Sequence, residues 1–159
     1  MHANALGRRT RGFSLVELVI VIVIIGIIAA VAVPRMSRAN VAASENSLRS
    51  NLRVLRSAID LFRAEHNDSL PALAKFTEQL TTYSDVEGGV SATKTGDYIF
   101  GPYLRALPTL PVGSRQGQSG VAAADAATIG WIYDATTGNI IANCKDSETD
   151  SRGVKFNTY

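Results

Sequence analysis

One run near the N-terminus constrains this chain more than any other feature: "RGFSLVELVIVIVIIGIIAAVAVP", residues 11–34. Residues 13–33 carry a single charge, Glu17. At 1.5 Å per helical residue that stretch reaches about 31 Å, the thickness of a bilayer core. Three fates fit such a segment. It is a secretory signal peptide, with Arg8, Arg9 and Arg11 as the basic region and Ala30-Val31-Ala32 as the cleavage site. It is a plain signal anchor. Or it is an anchor processed at its front, between Gly12 and Phe13. The run is longer than an ordinary signal-peptide apolar region, and a glutamate there has no use.

Glu17 has an ordinary explanation in part. Ser14-Leu15-Val16-Glu17 fits a capping box, with Ser14 as N-cap and Glu17 closing it from the first turn. A carboxylate there also suits the helix dipole. Neither reason demands an ionisable group, since threonine or glutamine costs less in lipid. A charge within a membrane span is a functional candidate whose partner has to be named. Cleavage after Gly12 would supply one, the new α-amine of Phe13, which is largely cationic at neutral pH. Glu17 would pair with its own amine or with that of a neighbouring chain, and the second option makes the pair an assembly device.

Gly12-Phe13-Ser14-Leu15-Val16-Glu17, the apolar run and Pro34 together resemble the N-terminus of type IV pilins and type II secretion pseudopilins. The resemblance is close over residues 8–66. It implies removal of a basic leader after Gly12 by a prepilin peptidase, N-methylation of Phe13, a role for Glu17 in assembly, and a helix bend at Pro34.

Beyond Pro34, residues 35–66 contain neither glycine nor proline. Val41, Leu48, Leu52, Leu55, Ile59 and Phe62 form one apolar stripe at helical spacing. Glu45 before Arg49, and Arg56 before Asp60, are i,i+4 pairs on the other face. One long helix over residues 14–66 is therefore expected, bent or loosened at Pro34, which lacks an N–H. His66 to Ser69 end it with turn-forming residues.

The rest reads as a small domain. Leu73, Phe76 and Leu80 mark a short amphipathic helix over residues 72–83. Residues 86–95 read as a loop, residues 101–108 as a compact turn, and residues 113–127 as a mobile loop. Residues 129–134 and 139–143 flank Ala135-Thr136-Thr137-Gly138 and predict a hairpin, with Trp131 and Tyr133 on the face that packs on the stalk. The fold class is α+β: a long N-terminal helix on a small domain with a short antiparallel sheet. The expected divisions are a leader (1–12), a transmembrane helix (13–34), an amphipathic stalk (35–66), a globular domain (67–145) and a polar tail (146–159). This layout is similar to that of the G-type major pseudopilins. Those carry a C-terminal calcium loop whose pattern is missing here. Asp146, Glu148 and Asp150 stand in that region instead, a candidate calcium-binding set or a solvated tail.

Charge adds little about partners, since the total is +2. It is unevenly spread: residues 35–66 hold six Arg against three acids (+3), and residues 67–159 hold seven Lys/Arg against ten acids (−3). No nucleic-acid partner is indicated. Cys144 is the single cysteine, which excludes an intrachain disulfide. The zinc-protease, P-loop, dinucleotide and nucleophile-elbow motifs are missing, so catalysis is not expected. His66 reads as a helix-end residue, exposed or dipole-stabilising.

The resemblance implies a subunit of a type II secretion pseudopilus, polymerising at the bacterial inner membrane to help export folded proteins. Its partners would be copies of itself, the prepilin peptidase and methylase, an assembly platform protein, minor pseudopilins and the membrane. The leader arginines place the N-terminus in the cytoplasm and the domain in the periplasm. Two alternatives stay open: a type IV pilin for adhesion, motility or DNA uptake, and an anchored periplasmic domain that never polymerises.

Overall fold

The computed structural model describes residues 12–159, without the side chains of residues 33, 34, 37 and 38. The expected leader lies outside the described residues except for Gly12. Helix α1 spans Leu15–Glu65, within a residue of the expected limits. Pro34 lies inside this helical run, which continues on both sides of it. By contacts the chain divides into a unit at Met1–Asn40 and a unit at Val41–Tyr159.

In the second unit α1 presents Leu48, Leu52, Leu55, Ile59 and Phe62 to the core, all essentially without solvent contact. Five of the six predicted stripe positions are thus buried, and Ala58 joins them. Val41, the most N-terminal of the six, is exposed. The helix stops where Asn67 and Asp68 take left-handed backbone, at φ 53° and 64°. Short polar side chains tolerate that conformation best after glycine. The Asp68 N–H donates back to the Arg63 carbonyl at 3.1 Å, and the Asp68 carboxylate takes the Arg63 guanidinium at 2.6 and 2.9 Å.

A 3₁₀ turn at Leu73–Lys75 leads into α2, Phe76–Thr81, which buries Phe76 and Leu80. Strands β1 (Tyr83–Ser84) and β2 (Val90–Ser91) pair antiparallel, and β2 falls inside the stretch expected to be loop. The predicted hairpin is present as β4 (Ile129–Tyr133) and β5 (Ile140–Ala142), antiparallel with Trp131 opposite Ala142. Trp131 and Tyr133 are fully buried with α1 and α2 residues in one core. Each has its polar atom satisfied: Trp131 Nε1 donates to the Pro108 carbonyl at 2.8 Å, and the Tyr133 hydroxyl to the Pro71 carbonyl at 3.1 Å. Gly138 turns the hairpin at φ 77°, and an added Cβ there would meet Leu70 Cδ2 at 2.8 Å.

Three further departures from expectation concern the sheet, the stalk and the C-terminal segment. Part of the expected mobile loop is a strand, β3 (Gly120–Ala122), paired parallel to β4, so the three-stranded sheet is mixed. Gly130 makes this possible, since a Cβ there would strike the Gln118 carbonyl. The expected i,i+4 pair Glu45–Arg49 does not form. Glu45 is buried and accepts from the Ser151 N–H and hydroxyl at 2.7 and 3.1 Å, while Arg49 reaches Asp150 at 3.2 Å. Residues 146–159 are accordingly not a solvated tail. They fold onto α1, with Asp150 and Phe156 buried.

Candidate functional site

Two groups of expected site residues can be placed. The first is at the front of α1. Gly12, Phe13 and Ser14 are non-helical and exposed, and the helix begins at Leu15. The Gly12-Phe13 peptide bond therefore lies in irregular, open backbone, the state in which a peptidase can engage it. A Cβ on Gly12 would meet nothing within 4 Å, so the fold itself has no need of glycine there. Phe13 has 78 % of its surface exposed. Leu15–Ala32 is long and apolar enough to cross a membrane, with none of it buried inside the protein. Glu17 is the acidic residue of its first turn. Its carboxylate receives the Ser14 N–H at 3.4 Å, longer than an ordinary hydrogen bond, so the capping box is only loosely closed. A Cβ added at Gly26 would likewise meet nothing within 4 Å, so no contact among the described residues requires glycine there.

The second group is Asp146, Glu148 and Asp150. The structure does not bring these carboxylates together; each faces its own set of partners. Asp146 receives Lys155 Nζ and Asn157 Nδ2, both at 2.8 Å. Glu148 receives the Ser114 and Lys145 N–H groups at 2.5 and 2.7 Å. Asp150 is a hub. It accepts from the N–H groups of Arg152 and Val154 at 2.8 Å, from Arg49 and Arg152 side chains, and from the Tyr159 hydroxyl at 2.6 Å. Arg49 also donates to the Tyr159 hydroxyl at 2.7 Å and lies over that ring. Among the described residues, no three His, Cys, Asp or Glu side chains converge as a metal ion would require. The cluster acts instead as a clasp that holds the C-terminal segment on α1.

These carboxyls titrate low. The Tyr159 hydroxyl, then the Val154 and Arg152 amides, hold Asp150 well below the usual carboxylate range against the cost of burial. Lys155 and Asn157 lower Asp146. For Glu148 burial pushes upward, and the Lys145 and Ser114 amides together outweigh it. Thr136 and Thr137 bring Asp134, in the hairpin turn, down to about 2. A folded value below the unfolded one, about 3.9 for Asp, stabilises the fold at pH above that value. The stabilisation is lost as pH falls through the folded values. The melting temperature of the domain is therefore expected to be level from pH 7 to about 5 and to fall below about 4, as a thermal melt at each pH would show.

One residue is placed differently from expectation. His66 is neither exposed nor a simple dipole partner. It is buried, stacked on Phe62, and hydrogen-bonded through Nδ1 to the Phe62 carbonyl (2.7 Å) and through Nε2 to the Ser84 hydroxyl (3.0 Å). Cys144 is buried too, and burial, then nearby Glu148, push its thiol up to about 12. The native protein should thus resist iodoacetamide at pH 8 and react once unfolded, which intact mass would report.

Residues 7–33 match a family model described as the prokaryotic N-terminal methylation motif. The chain is 31 % identical over 107 residues to type II secretion system core protein G of Klebsiella pneumoniae, covering 67 % of this chain and 72 % of that protein. It is 29 % identical over 107 residues to core protein G of Aeromonas hydrophila, covering 67 % and 71 %. It is also 37 % identical over 65 residues to the type IV major pilin protein PilA of Myxococcus xanthus strain DK1622, covering 41 % and 30 %. No solved structure matches.

Proposed function

The chain belongs to the pilin-like family of the type II secretion system core protein G, and from that premise we propose that it is the polymerising subunit of a type II secretion pseudopilus. It is made as a precursor anchored by one N-terminal apolar helix. A prepilin peptidase removes residues 1–12 and Phe13 is N-methylated. Subunits then move from the bilayer into a filament of packed helices.

The observation that carries this reading is the single carboxylate of an otherwise uncharged apolar run, standing one turn behind an exposed Gly12-Phe13 bond. Among the described residues that carboxylate meets only a long contact to Ser14. Removal of the leader creates an amine within reach of it or of a neighbour's copy. Bilayer and filament core are similarly apolar, so transfer of Leu15–Ala32 is close to neutral. Pairing Glu17 with a neighbour's amine then removes two lipid-exposed charges and sets the stagger between subunits. Gly26, unused by the fold, permits close approach of a neighbouring helix.

In this proposal the N-terminus is cytoplasmic, by the positive-inside rule, and the Val41–Tyr159 unit is periplasmic. An assembly platform protein and minor pseudopilins complete the machine, and the growing filament pushes folded proteins outward. The role is structural, not enzymatic. The type IV pilin reading has the support of the Myxococcus match, which spans less of this chain than the core protein G matches do. Calcium belongs to the proposal in one form only. A cation at Asp146, Glu148 and Asp150 would have to displace Lys155, Arg49 and Arg152, so a calcium-induced rise in Tm would mark a rearranged clasp.

Processing tests the reading directly. N-terminal sequencing of the membrane-bound protein should give a methylated Phe13. A start at Val33, after Ala30-Val31-Ala32, would mean a secreted domain and overturn it. Deleting the gene should abolish export of folded proteins into the medium; a loss of surface adhesion or motility instead would favour the pilin.

A further inference from the structure

We propose that an arginine-lined concavity between the stalk and the C-terminal segment is a docking site for the acidic β1–β2 turn of a second copy of this chain. The inference rests on polymerisation as proposed above. The concavity has a volume of about 330 Å³ and is lined by Arg49, Leu52, Arg53, Arg56, Arg152 and Tyr159. Four guanidinium groups thus surround one open space, and Asp150 is shared between Arg49 and Arg152. Arg56 donates through Nη2 to the Ile140 carbonyl and to the terminal carboxylate of Tyr159, so the four guanidinium groups face two anionic groups, Asp150 and that carboxylate. Arg53 makes no ion pair among the described residues. The site therefore carries a surplus of positive charge, and its walls supply donors in the fork geometry that suits a carboxylate.

The complementary group is on the same molecule but elsewhere. Residues 67–159 carry a net charge of −3. Most of their acidic side chains are committed within the chain, Asp125 to Arg115, Asp134 to its own turn and Asp146 to Lys155 among them. Glu78, Glu87 and Asp97 have neither ion pair nor hydrogen bond to their carboxylates among the described residues. Glu87 is the best presented. It sits at the tip of a turn closed by the Gly88 N–H on the Asp85 carbonyl at 3.0 Å, and the Asp85 carboxylate holds the Glu87 and Gly89 amides at 3.0 and 2.7 Å. The turn is thus rigid before it binds, which spares ordering entropy. The turn also offers an aliphatic neighbour: Val86 beside Glu87 is 42 % exposed. A second copy is the one occupant that explains both surfaces at once. Charge pairing of this kind fixes register between subunits more than it adds affinity.

The test uses the full-length chain in its assembling host, with sheared filament and membrane-bound mature protein both measured. Arg53→Glu and Glu87→Arg should each cut filament yield about tenfold or more, since like charges face each other at the joint, and leave the mature pool unchanged. The double reversal should restore filaments. In otherwise wild-type protein the pair Arg53→Cys with Glu87→Cys should give a disulfide-linked ladder of subunits under a mild chemical oxidant, with buried Cys144 silent. Filaments at normal yield from Arg53→Glu would overturn the site while leaving the proposed function intact. A defect in Arg53→Glu without one in Glu87→Arg would assign the concavity to another anion and overturn the proposal. So would a double reversal that stays defective together with no cross-linked ladder from the double-cysteine variant. A wild-type chain that makes no filament at all would overturn polymerisation, and this site with it.

Discussion

Replacing Glu17 by glutamine is expected to leave a normal pool of processed, membrane-bound protein and almost no sheared filament. The helix cap is the smaller part of what the carboxylate does. Its contact to the Ser14 amide is 3.4 Å long, and glutamine's carbonyl oxygen can occupy the same place. Even complete loss of an N-terminal cap costs about 1 kcal/mol, too little to stop insertion of Leu15–Ala32, which no part of the protein covers. The assembly step is different. Glutamine offers no negative charge to a Phe13 ammonium in a low-dielectric setting, where an unanswered charge costs several kcal/mol, about a hundredfold or more in an equilibrium. Immunoblots of membranes and of sheared material from the same cells separate the two roles. Filaments at wild-type levels from Glu17→Gln would make Glu17 a cap and nothing more.

The second large effect concerns the end of the chain. A soluble piece comprising residues 37–159 should fold, because the Val41–Tyr159 unit contains the whole core. The same piece ending at residue 145 should not. Cutting there removes Phe156, which is 7 % exposed in the core, and an aromatic lost from a core costs about 3–5 kcal/mol by itself. It also strips Glu45 of both Ser151 donors and Arg49 of Asp150 and the Tyr159 hydroxyl, the contacts that hold the C-terminal segment on the stalk. Against a total stability of about 5–15 kcal/mol for a domain of this kind, the truncated piece is expected to lack a cooperative thermal transition. A sharp melt within a few degrees of that of the longer piece would return residues 146–159 to the status of a tail.

The N-terminal half was readable because its information is local. A continuous apolar run states its own solvent, and a stripe at i, i+3, i+4 and i+7 states its own buried face. Leu48 to Phe62 needed no knowledge of what would cover them. The hairpin was readable for a similar reason: β4 and β5 are joined by a short turn with glycine at its φ 77° position, and alternation puts Trp131 and Tyr133 on one side. The proposed processing residues Gly12, Phe13 and Glu17 stand on their register against the basic stretch and the apolar run; the fold itself does not call for them.

Tertiary structure alone decided the rest, through partners distant in sequence. Glu45 and Arg49 look like a helix-surface pair at spacing four, yet their donors and acceptors lie 106 and 101 residues away in the C-terminal segment. Residues 146–159 are polar, and polarity reads as solvent exposure until the groups that satisfy it are known. β3 is three small or modest residues, Gly120–Ala122, with no alternation to announce it; it exists because Gly130 lets a neighbouring backbone approach. His66 gave no signal of burial, since its ring is fixed by Phe62 one turn back and by Ser84 from β1. The sequence by itself therefore determined the apolar N-terminal helix, the stalk's inner face and the hairpin, where hydrophobic pattern acts at short range. Only the folded chain decided which polar groups are buried, because burial of a charge or amide depends on a partner, and short-range pattern carries no record of where that partner is.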